Sequence, residues 1–181
     1  MLDFFFNKKN KLPLSILGTK FAKPIDYIES KGSAQCKSSI MLSALNTKGE
    51  TKIKAKKSRT HTELLFKYLG IPIKIKKTKK FDFIRINGKK EFRSFNYKIP
   101  ADISSSAFFI VLTALSKNST LIIKNVNINT SRVGVIKILL KMGVKISLKN
   151  KTNYKGEKIA DISIKSSKNL KAINCLLYTS P

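Results

Sequence analysis

Two stretches of the chain, 33–75 and 103–148, carry the same order of apolar and polar positions. Ser-Ala-Gln-Cys-Lys-Ser-Ser-Ile-Met-Leu-Ser-Ala-Leu (33–45) lies under Ile-Ser-Ser-Ser-Ala-Phe-Phe-Ile-Val-Leu-Thr-Ala-Leu (103–115). Ala44-Leu45 matches Ala114-Leu115, Ile53 matches Ile123, and Leu69-Gly70-Ile71 matches Met142-Gly143-Val144. The offset is 70 residues at first and 73 after a three-residue insertion in the loop holding Arg132. A repeat of this length is a whole supersecondary unit, so the architecture follows from the pattern itself.

Each copy predicts the same elements. Small polar residues open an apolar helix (about 35–46 and 104–116), followed by a polar turn and a short strand, Lys52–Lys56 or Leu121–Lys124. Leu64, Leu65, Tyr68 and Leu69 in one copy, and Ile136, Leu139 and Leu140 in the other, have the spacing of an amphipathic helix. Gly70 and Gly143 stand where such a helix takes a left-handed C-terminal residue. Ile71, Ile73 and Ile75 then alternate with Lys74 and Lys76, and Val144, Ile146 and Leu148 with Lys145 and Ser147, which is strand periodicity. Asn87-Gly88 predicts a two-residue hairpin joining Phe81–Ile86 to Lys89–Phe95. Helix, strand, helix, strand, strand, written twice, predicts an α/β repeat fold with helices packed under sheets.

Bulk properties set limits. A chain of 181 residues buries one or two modest cores. The longest apolar run, Ala107–Leu115, is too short to span a bilayer and is interrupted by Thr113. Leu2–Phe6 contains an acid and lacks a basic lead-in, so no signal peptide is expected. Cys36 and Cys175 predict reduced thiols and a cytoplasmic location. One histidine and no metal-ligand spacing predict no metal.

The formal charge of +27 raises nucleic-acid binding as a reading. Its distribution favours compositional drift instead. Of 37 basic residues only Arg59, Arg85, Arg93 and Arg132 are arginines, whereas nucleic-acid readers enrich arginine for bidentate contacts. The lysines fall on outward strand positions and polar helix faces, and abundant Lys, Ile and Asn look like the product of an A/T-rich genome. The excess charge still attracts small anionic substrates.

Two segments carry chemistry. Gly32-Ser33-Ala34-Gln35-Cys36-Lys37-Ser38 turns into a helix whose N-terminus welcomes an anion through unsatisfied N–H groups and the helix dipole. Ser33 adds a hydroxyl, Gln35 an amide and Lys37 a charge; on local pattern alone, an ordinary N-cap at Ser33 is the stronger reading. In Ser58-Arg59-Thr60-His61-Thr62-Glu63, Thr60 and Glu63 have capping-box spacing, and Arg59 lies just before the helix start. His61 reads as a first-turn surface residue unless an anion lies beside it.

These residues together resemble the enolpyruvyl transferases. Ser-Ala-Gln-x-Lys-Ser (33–38), Leu-Asn-x-x-Gly-x-Thr (45–51), Ser-Arg-x-His-Thr-Glu (58–63) and Leu-Gly (69–70) are similar to the EPSP synthase branch of that family. Ile99-Pro100-Ala101-Asp102-Ile103-Ser104-Ser105-Ser106-Ala107-Phe108-Phe109 resembles its Pro-Gly-Asp-x-Ser-Ser-Ala-x-Phe segment, with Ala101 in the glycine's place. Asn125-Val126, Asn129-Thr130-x-Arg132-x-Gly134 and Met142-Gly143 extend the likeness, which runs from about Leu12 to Cys175.

The resemblance implies two domains built from six βαβαββ repeats, about two of them here: 1–99 as the last part of the shikimate-3-phosphate domain, 100–181 as the start of the other. It implies transfer of the enolpyruvyl group of phosphoenolpyruvate to the 5-hydroxyl of shikimate 3-phosphate, with release of phosphate and no cofactor or metal. It places Ser33, Ala34 and Gln35 on shikimate 3-phosphate, Gln35 also on phosphoenolpyruvate, Arg59 on the phosphorylated substrate, and Asp102 as hinge or helix cap. The implied partners are those two small molecules, with no specific nucleic acid, no membrane, and a monomer at full length. The family's Lys-Ser-x-x-x-Arg motif, its phosphoenolpyruvate-binding arginines, its aspartate base and its Lys-Glu-x-x-Arg stretch are not in this sequence. No catalytic residue is therefore assigned, and a partial reading frame, inactive by itself, is expected. A UDP-N-acetylglucosamine enolpyruvyl transferase and a small basic nucleic-acid-binding module are the alternatives.

Overall fold

The computed structural model describes residues 3–8, 11–88, 91 and 94–174. The described elements in chain order are β1 (Asp3–Lys8), β2 (Lys11–Leu17), β3 (Asp26–Glu29), α1 (Ala34–Leu45), β4 (Glu50–Lys56), α2 (His61–Tyr68), β5 (Ile73–Lys77), β6 (Phe81–Asn87), α3 (Ile103–Leu115), β7 (Thr120–Asn127), α4 (Gly134–Lys141), β8 (Lys145–Tyr154) and β9 (Glu157–Lys165). The order β3-α1-β4-α2-β5-β6 is one βαβαββ repeat, and α3-β7-α4-β8-β9 reproduces it from its first helix onward. Ala101 supplies the missing first strand in miniature. It forms a single parallel bridge with Val126, as β3 pairs in parallel with β4. Its backbone is extended, so the alanine Cβ is accepted where the family's segment has glycine.

The chain divides into two compact units, 1–57 with 71–91, and 58–70 with 92–181. The first contains the antiparallel pair β1-β2 and a four-stranded sheet ordered β3-β4-β6-β5. Alternation decides its faces. Thr51, Ile53 and Ala55 of β4, and Asp82, Ile84 and Ile86 of β6, turn inward, while Lys52, Lys54, Lys56, Phe83 and Arg85 turn outward. Helix α1 packs on β4 and β6 and buries Met41 and Ala44. The second strand of the predicted hairpin at Asn87-Gly88 falls largely outside the described residues, and neither Asn87 nor Gly88 has the positive φ of a two-residue hairpin turn. Strand β6 pairs with β4 and β5, and Thr78 closes the β5–β6 turn by bonding the Phe81 amide and carbonyl. Gly88 serves close packing instead, since a Cβ there would lie 2.0 Å from the Ala44 carbonyl oxygen. Lys89, Lys90, Phe92 and Arg93 lie outside the described residues, as does Cys175, and no described residue from 91 to 100 is in a strand.

The second unit centres on the sheet β7-β9-β8, antiparallel throughout. Ile103, Ile110 and Ala114 of α3 and Ile136 and Leu139 of α4 recur at helical spacing and meet Val126, Ile162 and Ile164 in one core. Gly70 and Gly143 have φ of +67° and +93°, the left-handed conformation that ends α2 and α4. Both outer strands carry a bulge, between Ile123 and Val126 in β7 and between Lys149 and Thr152 in β8. Each places an asparagine, Asn125 or Asn150, at positive φ. One carboxylate on the central strand holds both. Asp161 accepts from Lys124 Nζ (2.8 Å), the Asn125 amide (2.9 Å) and Asn150 Nδ2 (2.8 Å). The hydrogen bonds from Lys124, Asn125 and Asn150 lower its pKa to about 2. The opposite face of α3 is uncovered within its unit: Phe108, Phe109, Leu112 and Leu115 are 60–78% exposed. No described helix is long and apolar enough to cross a membrane.

Two predictions follow from this core. Ile162 is fully buried; Ile162→Ala leaves a cavity and is expected to cost about 3 kcal/mol in a denaturant titration. Because the Asp161 carboxyl is depressed on folding, its contribution is complete above a pH of about 4 and fades as pH falls toward about 2. An acid titration of Asp161→Asn, followed by circular dichroism, should therefore be flatter across that window than wild type; an identical slope removes Asp161 from the acid response.

Candidate functional site

The predicted anion-binding segment forms the N-terminus of α1 in the first unit. Strand β3 delivers the chain to it, and Glu29, 3% exposed, accepts from the Lys31 and Gly32 amides at 2.9 and 2.7 Å. That carboxylate fixes the turn before the helix. Ser33 is the N-cap, with its hydroxyl oxygen accepting from the Cys36 amide at 3.2 Å, so the capping role read from local pattern is present. The same hydroxyl lies 3.5 Å from Gln35 Oε1 and orients the exposed carboxamide, while Ala34 is half-buried between them. No acidic residue occupies the first turn to neutralise the positive end of the helix. Lys37 is wholly buried, so it does not join the surface that Ser33 and Gln35 present. Cys36 is a free, exposed thiol. The segment offers a hydroxyl, an amide and a helix end, the donor set for an anionic ligand.

Arg59 belongs to the second unit, exposed one residue before the N-cap of α2. The expected capping box does not form. Thr60 makes no side-chain cap bond and its hydroxyl instead accepts from Asn129 Nδ2 at 3.3 Å. His61 has an anion beside it after all, with Nδ1 2.5 Å from Glu157 Oε1. Glu157 is 5% exposed and Asn129 Nδ2 donates to its second oxygen at 3.3 Å. Burial raises the Glu157 pKa, but hydrogen bonds from His61, Asn127 and Asn129 and the His61 charge outweigh it, leaving it below the ordinary value.

Asp102 is the N-cap of α3, its Oδ2 accepting from the Ser105 amide at 2.9 Å and the Ser105 hydroxyl at 3.1 Å. Its Oδ1 pairs with Arg132 Nη2 at 2.8 Å, and the same nitrogen donates to the Ser104 hydroxyl at 2.5 Å. Burial raises the Asp102 pKa, and the Ser105 bonds and Arg132 charge together bring it below the usual value. Asp102, Arg132, His61, Glu157, Tyr97 and Asn127 line a cavity of about 340 Å³ within this unit. Its charges are spent on each other, which suits a framework better than a ligand site. Asn129 and Arg132 stand in a motif the sequence shows, but their partners are far along the chain; Glu157 has no sequence signal beyond following a Lys-Gly turn. Among the described residues no three metal-ligating side chains converge.

The chain matches the family model for EPSP synthase (3-phosphoshikimate 1-carboxyvinyltransferase) across residues 5–179. It is 43% identical over 167 residues to the 3-phosphoshikimate 1-carboxyvinyltransferase of Petrotoga mobilis, covering 90% of this chain and 38% of that protein. The Bartonella quintana enzyme of the same name is 42% identical over 160 residues, covering 87% and 36%. The solved EPSP synthase of Acinetobacter baumannii superposes with a TM-score of 0.80 at 35% identity, over 95% of this chain and 38% of that one. The chain thus spans little more than a third of the length of these relatives. With the repeat, the α1 terminus and the match over almost every residue in agreement, the chain belongs to the EPSP synthase family.

Proposed function

We propose that the protein carrying these residues transfers the enolpyruvyl group of phosphoenolpyruvate to the 5-hydroxyl of shikimate 3-phosphate and releases phosphate. In this reading 1–99 is the end of the shikimate-3-phosphate domain and 100–181 the start of the second. Ser33, Ala34 and Gln35 contact shikimate 3-phosphate, Gln35 also meets phosphoenolpyruvate, and Arg59 is a further contact to the phosphorylated substrate. Asp102 is a helix cap rather than a catalyst. The protein works as a cytoplasmic monomer, with no cofactor and no specific nucleic-acid partner.

The observation that carries the reading is the α1 terminus in a chain of this family: Ser33 and Gln35 side by side at a helix end with no first-turn acid. Magnitudes decide which part matters most. A helix end contributes about 0.3–1 kcal/mol toward an anion, whereas a hydrogen bond to a charged group contributes about 1.5–3 kcal/mol. The side chains therefore dominate over the dipole. The reaction is addition followed by elimination: the 5-hydroxyl gives up its proton as its oxygen bonds to the central carbon of phosphoenolpyruvate, and the methylene carbon takes a proton to become a methyl group. The carbon–oxygen bond to phosphate then breaks and a methyl proton is lost. The residues here bind and orient; the proton-transfer groups lie in segments that this sequence does not contain.

On the complete protein, Gln35→Ala is expected to lower kcat/KM for shikimate 3-phosphate about ten-fold or more, and Lys76→Ala, on the outer sheet face, to change it by less than about two-fold. Equal effects would remove the anion site from α1. The 181 residues by themselves are expected to release no phosphate from the two substrates; release at a measurable rate would show that the chemistry lies within this span.

A further inference from the structure

The residue read as a substrate contact, Arg59, comes off a helix of only eight residues that lacks its side-chain cap. Two turns of helix are marginal in water, so something else must fix the first turn. The β8–β9 turn does so with three consecutive residues. Glu157 meets His61 at 2.5 Å. At Gly156 a Cβ would stand 3.2 Å from the Leu64 carbonyl oxygen. The Lys155 ammonium sits 5.6 Å from the Tyr68 ring centre, with Tyr154, Tyr97 and Phe95 at 5.4, 5.7 and 6.0 Å. His61, Leu64 and Tyr68 are spaced three and four apart, which is one face of a helix. Three residues in a row thus seat one whole face of α2. Asn129 closes the arrangement, its amide nitrogen donating both to Glu157 Oε2 and to Thr60 Oγ1, each at 3.3 Å.

The geometry points to Glu157, with Asn129, as the positioning residue for Arg59: it fixes the first turn of α2 through His61 and Thr60, and so fixes the backbone from which the arginine reaches substrate. This inference rests on the proposed role of Arg59 in binding shikimate 3-phosphate. Glu157 itself touches no reacting group. Its negative charge is consumed by His61 and Asn129, and it is buried behind the helix rather than presented to solvent. An arginine on a frayed first turn would still carry its charge but would spend binding free energy on ordering.

A double-mutant cycle on the complete protein tests this. Glu157→Ala should raise KM for shikimate 3-phosphate about ten-fold with kcat changed by less than about three-fold. Glu157→Gln, which still offers an oxygen to the His61 N–H, should recover most of that loss. In an Arg59→Ala background Glu157→Ala should add almost nothing. Losses that multiply in the double variant would overturn the positioning role while leaving Arg59 a substrate contact. If Arg59→Ala alone leaves KM unchanged, the role of Arg59 fails, and this inference with it. Should Glu157→Ala not accumulate as folded protein, Asn129→Ala, which cuts the tie to Thr60, runs the same cycle with the same outcomes.

Discussion

Asp161 takes three hydrogen bonds from two different strands, and the arrangement of the second unit depends on that convergence. Each neighbour of β9 contains extra residues at a bulge, and a bulged ladder has more than one possible register. A slip by one residue would turn Ile162 and Ile164 out of the core and bring Asp161 and Ser163 in. A single acceptor shared by Lys124, the Asn125 backbone and Asn150 is satisfied in one register alone. It thereby fixes where β8 ends and β9 begins, which sets the position of Glu157 at the start of that strand. Core packing and the seat of α2 are thus consequences of one buried charge on the polar side of a central strand.

Much of this architecture was legible in the residues. Period-two alternation along 50–56 and 81–87, helical spacing in both second helices, and a glycine after each helix are local signals with one physical meaning each. The duplication made them mutually supporting. Asn87-Gly88 shows how one dipeptide can serve two purposes: glycine suits a tight turn, but it also permits close approach, and Gly88 lies against the Ala44 carbonyl. Nothing local distinguishes the two. Nor could the pattern show that α2 groups with the second unit although its flanking strands, β4 and β5, build the first.

The site divides along the same line. A hydroxyl and an amide at a helix start are visible in sequence because cap and helix are adjacent. The environment of the segment ahead of α2 was not, since Thr60 and His61 find their partners 69 and 96 positions away. Capping-box spacing at Thr60 and Glu63 was a true local propensity that lost to a tertiary bond from Asn129. The charge reading held on β4, where Lys52, Lys54 and Lys56 face outward, and failed at Lys37, which is wholly buried. Net charge describes the average lysine; packing decides the particular one.

Four described residues other than glycine adopt positive φ, and three are asparagines: Asn118, Asn125 and Asn150. Asparagine tolerates the left-handed region better than any other side chain of its size. Lys155 is the exception. A lysine at a left-handed hairpin position costs about 1–2 kcal/mol, and its ring of four aromatic partners offsets a comparable amount. A residue with no local preference for the left-handed region is thus held there by its neighbours, which ties the shape of this turn to the aromatic side chains around it.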